Sequence, residues 1–147
     1  MIAGRRGRRG NALVEFALSF GLLFAVFAGV FQFGYVYYVY NTLESAVRGG
    51  ARYASLRVYD SATSTPSSAY LTAVRNMVVY GNPSASGQAL APGLTPENVS
   101  VTVDMERNVP ARITVAISNY TVSAVVQSFT LAGKPKVTFP FTGRFAP

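Results

Sequence analysis

Few side chains here are equipped for chemistry, and one of them stands where a charge is costly. Among 147 residues there are thirteen lysines and arginines, six aspartates and glutamates, and neither histidine nor cysteine. The chain therefore has no imidazole for proton transfer, no thiolate nucleophile, no disulfide and no His- or Cys-held metal. Asp104 and Glu106 lie two apart and would share one face of a strand. With a loop carbonyl they could meet a hard cation such as Ca²⁺, but two carboxylates beside a hairpin read more simply as solvated. The glycine-rich GRRGRRG at 4–10 follows no strand and opens no nucleotide fold. The composition points away from an enzyme, a cofactor or a metal site. Glu15 differs from the other acids. It is the sole charge in the run 11–40, and an ionised group in such a span costs about 2.5–3.5 kcal/mol at its centre and less near its ends. A carboxylate there calls for a cation, and the run supplies none.

The element that positions Glu15 is a long apolar helix. NALVEFALSFGLLFAVFAGVFQFGYVYYVY, residues 11–40, has neither charge nor amide from Phe16 to Phe31. A bilayer crossing needs about 20 mostly apolar residues, so this segment can span and still project. Arg5, Arg6, Arg8 and Arg9 precede it with no acid among them. The positive-inside rule then puts residues 1–10 in the cytoplasm and the bulk of the chain outside. Directly before an apolar span the arginines read as a topology signal rather than a nucleic-acid patch. The apolar stretch is too long for an ordinary secretory signal, and no Ala-x-Ala site closes it.

At 100° per residue the helix carries two stripes. Phe16, Phe20, Phe24, Phe27 and Phe31 form one, continuing through Tyr35 and Tyr38. Ala17, Gly21, Ala25 and Gly29 form another, and small residues at that spacing let membrane helices approach closely. The expectation is lateral helix packing, with Tyr35, Tyr37, Tyr38 and Tyr40 in the outer interfacial belt.

Gly10, with a glutamate at the fifth position after it, resembles the processing site of type IV prepilins and pseudopilins. NALVEFAL looks most like the TadE-like pseudopilins of tight-adherence (Flp-type) pilus systems. The later run GVFQFGYVYYVYNTLESAVRGGARYASL is similar to that family's Phe-Gly turn and its tail, here Ala46, Arg48, Gly50, Ala51, Arg52, Tyr53 and Ala54. The resemblance covers about residues 4–57. It implies cleavage between Gly10 and Asn11 by a prepilin peptidase. Glu15 would then pair with the free amino terminus of a neighbouring copy and set axial register. Implied partners are other pilin-like subunits and an inner-membrane assembly platform. The chain departs from the family at Asn11, where a small or apolar residue is usual, at Gly21, often proline, and at Gln32, often acidic.

Beyond the membrane the helix is expected to continue through Thr42 to Arg57 on Leu43, Ala46, Val47, Ala51 and Ala54, with a soft point at Gly49-Gly50. Arg48 and Arg52 share a face, suited either to acidic head groups or a partner, or to a solvated pairing with Glu44. A second helix is expected over Ala69 to Tyr80, ended by Gly81-Asn82-Pro83, and then a long Ser/Gly/Pro loop. Alternation at Val99, Val101, Val103 and at Ile113, Val115, Ile117 predicts two strands, with Val109-Pro110-Ala111 suited to their connection. Val122 to Leu131 reads equally as helix or strand. Val137, Phe139 and Phe141 predict a last strand, at an edge because of Pro140.

The fold class is therefore α+β. A basic leader spans 1–10, the apolar helix and its extension 11–57, and a small external domain of one or two helices on a three- or four-stranded antiparallel sheet 58–147. The expected function is a structural one, a minor pilin or pseudopilin, assembling as a homo- or hetero-oligomer. The alternatives are the main subunit of a filament, and a signal-anchored envelope protein whose outer domain binds a ligand.

Overall fold

The computed structural model describes the backbone of residues 7–124 and 127–147, with side chains from residue 11 onward. Arg5 and Arg6 of the expected leader, and the side chains of Arg8 and Arg9, lie outside the described residues.

No proline occurs before Pro66, and one helix, α1 (Gly7–Leu56), runs unbroken for 50 residues. At 1.5 Å per residue it is about 75 Å long. Its outer half turns a stripe of Val39, Leu43, Val47, Ala51 and Ala54 into the core. The helix stops where the chain's C-terminal tail crosses it. Thr142 N–H donates to Ser55 O at 3.0 Å, capping a carbonyl of the last turn. Gly143 sits so close that a Cβ there would meet the Arg57 and Leu56 carbonyls.

Helix α2 (Ser68–Tyr80) starts at Ser67, whose Oγ accepts from Tyr70 N–H at 3.1 Å. It ends at Gly81, in the left-handed region at φ 69°. Val74, Val78 and Val79 carry its buried face, and Tyr70 Oη donates to Ala54 O of α1 at 2.6 Å. The expected soft point at Gly49-Gly50 lies inside continuous helix. Gly50 has a packing role instead: it is buried against α2, and a Cβ there would collide with Val78 Cγ2.

Three strands, β1 (Val99–Glu106), β2 (Val109–Ile117) and a third (Lys136–Pro140, β5 in chain order), form an antiparallel sheet in the order β1-β2-β5. Pro140 thus occupies an edge strand, as its missing donor requires. The β1–β2 turn corrects the sequence reading. It is made by Arg107-Asn108, both at positive φ (53° and 62°), while Val109-Pro110-Ala111 lies inside β2. That two-residue geometry matches the twist of paired strands. Pro110 is accommodated opposite Met105, where the register slips.

The ambiguous stretch resolves as a separate hairpin, β3 (Tyr120–Ser123) and β4 (Ser128–Leu131). Among the described residues, the part after α1 therefore holds five strands in sheets of three and two, where one sheet of three or four strands was expected. Tyr59, Tyr70, Phe141 and Phe145 close the distal end of the core. Their ring contacts centre on Tyr59 at 5.3 to 6.3 Å.

Candidate functional site

The inner half of α1 is the surface in question. Every residue from Asn11 to Phe27 is exposed. Nothing else in the described chain covers leucines, phenylalanines and valines that make the helix apolar on all sides. Such a surface has no stable place in water. This is the one helix, among the described residues, long and apolar enough to cross a membrane.

Gly10 and Asn11 sit in its first turns, and Glu15 follows one turn later. The Glu15 side chain is exposed and makes no ion pair or hydrogen bond among the described residues. Its cation, if it has one, is outside this part of the chain.

Phe16 and Phe20 stack with ring centroids 5.9 Å apart, and Phe20 and Phe24 at 6.2 Å. Phe27 and Phe31 continue the stripe and are exposed. Ala17, Gly21, Ala25 and Gly29 stay on their own face, and a Cβ at Gly21 or Gly29 would meet nothing within 4 Å. The helix surface there is free to take a close neighbour, which is what small residues at this spacing permit. The two stripes are not brought together; Ala17 and Gly21 are exposed, while Ala25 and Gly29 border the β3–β4 hairpin at Gln127 and Phe129, and Tyr35 packs against the core.

Residues 10–52 match the family model for TadE-like proteins. The matched segment begins at Gly10 and ends at Arg52, so it takes in the apolar half of α1 and most of the half that enters the core. No curated protein and no solved structure matches the chain.

The segment that resembles the TadE-like tail divides by environment. Arg48 is exposed and bonds Glu44 Oε1 at 2.7 Å, one turn back. A pair this open contributes a few tenths of a kcal/mol. Arg52 is likewise exposed, whereas Gly50 is the close-approach point against Val78. The tail thus combines one structural glycine with two solvent-facing cations.

Asp104 and Glu106 do not form a cation site with each other. Both face Arg112 across the hairpin, at 3.8 Å and 3.0 Å. A metal there would have to compete with the guanidinium.

One residue of consequence was not singled out as a contact. Gln32 is 6% exposed, and its Nε2 donates to Gln127 O of the β3–β4 connection at 2.8 Å. This bond holds the second hairpin against the helix 95 residues away in sequence. Beside it is an apolar groove of about 390 Å³ lined by Ala25, Ala28, Gly29, Gln32, Phe33, Gln127 and Phe129. The sole sequence signal was an amide in an otherwise apolar face, at a position where the TadE-like family often has an acid.

Proposed function

We propose that this chain is a pilin-like structural subunit, a minor pilin or pseudopilin, of a tight-adherence pilus or secretion apparatus. One observation carries the reading: the TadE-like match opens at Gly10 on a helix whose residues from Asn11 to Phe27 are all exposed among the described residues. In this reading a prepilin peptidase cuts between Gly10 and Asn11. The helix crosses the bacterial inner membrane with its start on the cytoplasmic side, and the α+β part lies outside. Lateral packing with other pilin-like helices, along Ala17, Gly21, Ala25 and Gly29, then covers the exposed surface.

Glu15 supports the reading through its cost. A carboxylate one turn from a new amino terminus can pair with the positive α-amine of an adjacent subunit, since that amine is largely protonated at neutral pH. Pairing works at one axial offset only, so it would fix register between neighbours. The outer part, with two sheets and its own helix, is larger than a bare anchoring helix needs, which favours a minor subunit over the repeating body of a filament.

Replacing Glu15 with Ala tests this directly. The expected outcome is unchanged membrane insertion and at least a tenfold loss of the subunit from isolated fibres or assembly complexes, read by immunoblot. Incorporation at the wild-type level would contradict the register role.

A further inference from the structure

Beyond the aromatic stripe, on the same face of α1, an apolar groove of about 620 Å³ opens. Gly34, Tyr38, Thr42, Ser45 and Gly49 of α1 form its floor, and Met77 and Leu90, from α2 and the loop after it, add to its wall. None of the described residues that line it is charged. A Cβ at Gly34 or Gly49 would meet nothing within 4 Å, so packing inside the chain requires neither glycine. Each costs the helix about 1 kcal/mol relative to alanine. The Thr42 hydroxyl donates to Tyr38 O at 3.0 Å and needs no outside partner when the groove is covered.

The stripe and the groove correspond step by step. Phe16, Phe20, Phe24, Phe27 and Phe31 advance by four, four, three and four residues, and so do Gly34, Tyr38, Thr42, Ser45 and Gly49. Each groove residue lies eighteen positions after its ring. Eighteen residues are five turns, so both sets share one face, about 27 Å apart along the axis. A second copy, turned to face the first and displaced by that distance, sets every ring opposite a groove residue. Four rings then meet Gly34, Thr42, Ser45 and Gly49, and Phe20 meets Tyr38. Large side chains opposite small ones are what facing helices need to interdigitate.

Area supports the same occupant. The five rings are between 56% and 70% exposed. At about 200 Å² for a phenylalanine they offer about 600 Å², and the exposed Leu13 and Leu23 flank them. A stable interface takes about 800 Å² from each partner, so the ridge supplies most of one side. The α1 positions that border the β3–β4 hairpin, Ala25, Gly29 and Gln32, lie on another face.

We propose that the groove receives the aromatic stripe of a second copy of this chain, displaced by about 27 Å along the helix axis. The inner half of one α1 docks on the outer half of the next, a heterologous contact that can repeat into a stack. One contact between two copies is enough, so the chain need not form the body of a filament. This neighbour differs from the one that Glu15 would meet, because pairing with an amino terminus at Asn11 needs a displacement of only about 6 Å. The inference rests on the reading of the chain as an assembling subunit.

The chain has no cysteine, so introduced thiols report on one contact at a time. Two differently tagged full-length chains, one Phe27→Cys and one Ser45→Cys, are expressed together. Isolated fibres or assembly complexes are then treated with a short bis-maleimide. Both positions are exposed, so neither replacement disturbs the core. The expected result is a cross-linked pair carrying both tags. It should be at least fivefold more abundant than the pair from Phe27→Cys with Gly34→Cys, which lies eleven residues off the offset. Gly49→Leu, which fills one end of the groove, should cut the product of positions 27 and 45 at least fivefold. Chains present in the complexes but linked only between identical positions, or not linked at all, overturn the inference and leave the subunit reading standing. Chains absent from fibres and complexes overturn both.

Discussion

The two halves of α1 use one helix in opposite ways. From Asn11 to Phe27 every residue is exposed and the helix is apolar on all sides. From Val39 to Ala54 the apolar residues keep to one stripe, which is buried, and Glu44, Arg48 and Arg52 occupy the rest. The outer half is an ordinary amphipathic element that finds its partners in α2 and the sheet. The inner half has none to find, so its surroundings must come from lipid or from other chains. Glycine makes the same point twice. Gly50 is small because Val78 is already there, and Gly21 and Gly29 are small with nothing there yet.

Side-chain truncation should separate the halves most strongly. Leu43 is fully buried and Leu22 is 72% exposed. Leu43→Ala should cost the outer domain about 2–5 kcal/mol, while Leu22→Ala leaves its stability unchanged. Urea denaturation of the detergent-solubilised protein checks both. Equal effects would mean that the inner half is packed by the chain after all.

The glycine contrast can be sharpened inside a single dipeptide. Gly50→Ala drives a Cβ into Val78, and such overpacking costs about 1–3 kcal/mol. Gly49→Ala meets nothing within 4 Å and removes a flexible residue from a helix, so it should stabilise by about 0.5–1 kcal/mol. Thermal melts of the two variants should move in opposite directions.

Alkali should act on the outer half alone. Burial pushes the phenols of Tyr59, Tyr70 and Tyr120 above the usual tyrosine value near 10. Folding therefore favours their protonated forms. Their contribution is complete below about pH 10 and is lost as pH rises through their folded values. Melting temperature should fall as pH is raised above about 10. Tyr70→Phe should shallow that fall, at a cost of about 1 kcal/mol near neutrality for the lost bond to Ala54 O. The apolar half, with no tyrosine before Tyr35, should keep its helicity by circular dichroism across the range.

How far the sequence foretold this structure follows the same division. The inner helix was legible because its signal is local: thirty residues with one charge admit few structures. The strands were legible by alternation, since Val99 and Val103 in β1 and Ile113 and Val115 in β2 do point inward. Pro140 marked its edge because proline lacks a donor. The β1–β2 turn was misplaced because a Val-Pro-Ala run looks like a breaker, whereas Arg107 at positive φ carries no residue-type signal. The contact between Gln32 and the second hairpin joins residues 95 apart, and no periodicity reports such a distance. The candidate residues Glu15, Gly21 and Gly29 were legible as a pattern, and the use proposed for them lies between molecules.

The central claim is that the inner half of α1 is presented to neighbouring subunits after the leader is removed at Gly10. Its most direct test is the N-terminal residue of the protein taken from its native membrane, read by mass spectrometry. The account predicts a chain beginning at Asn11, with Glu15 at its fifth position. A chain beginning at Met1 or Ile2 would leave four arginines on the helix, deny Glu15 its terminal amine, and contradict the account.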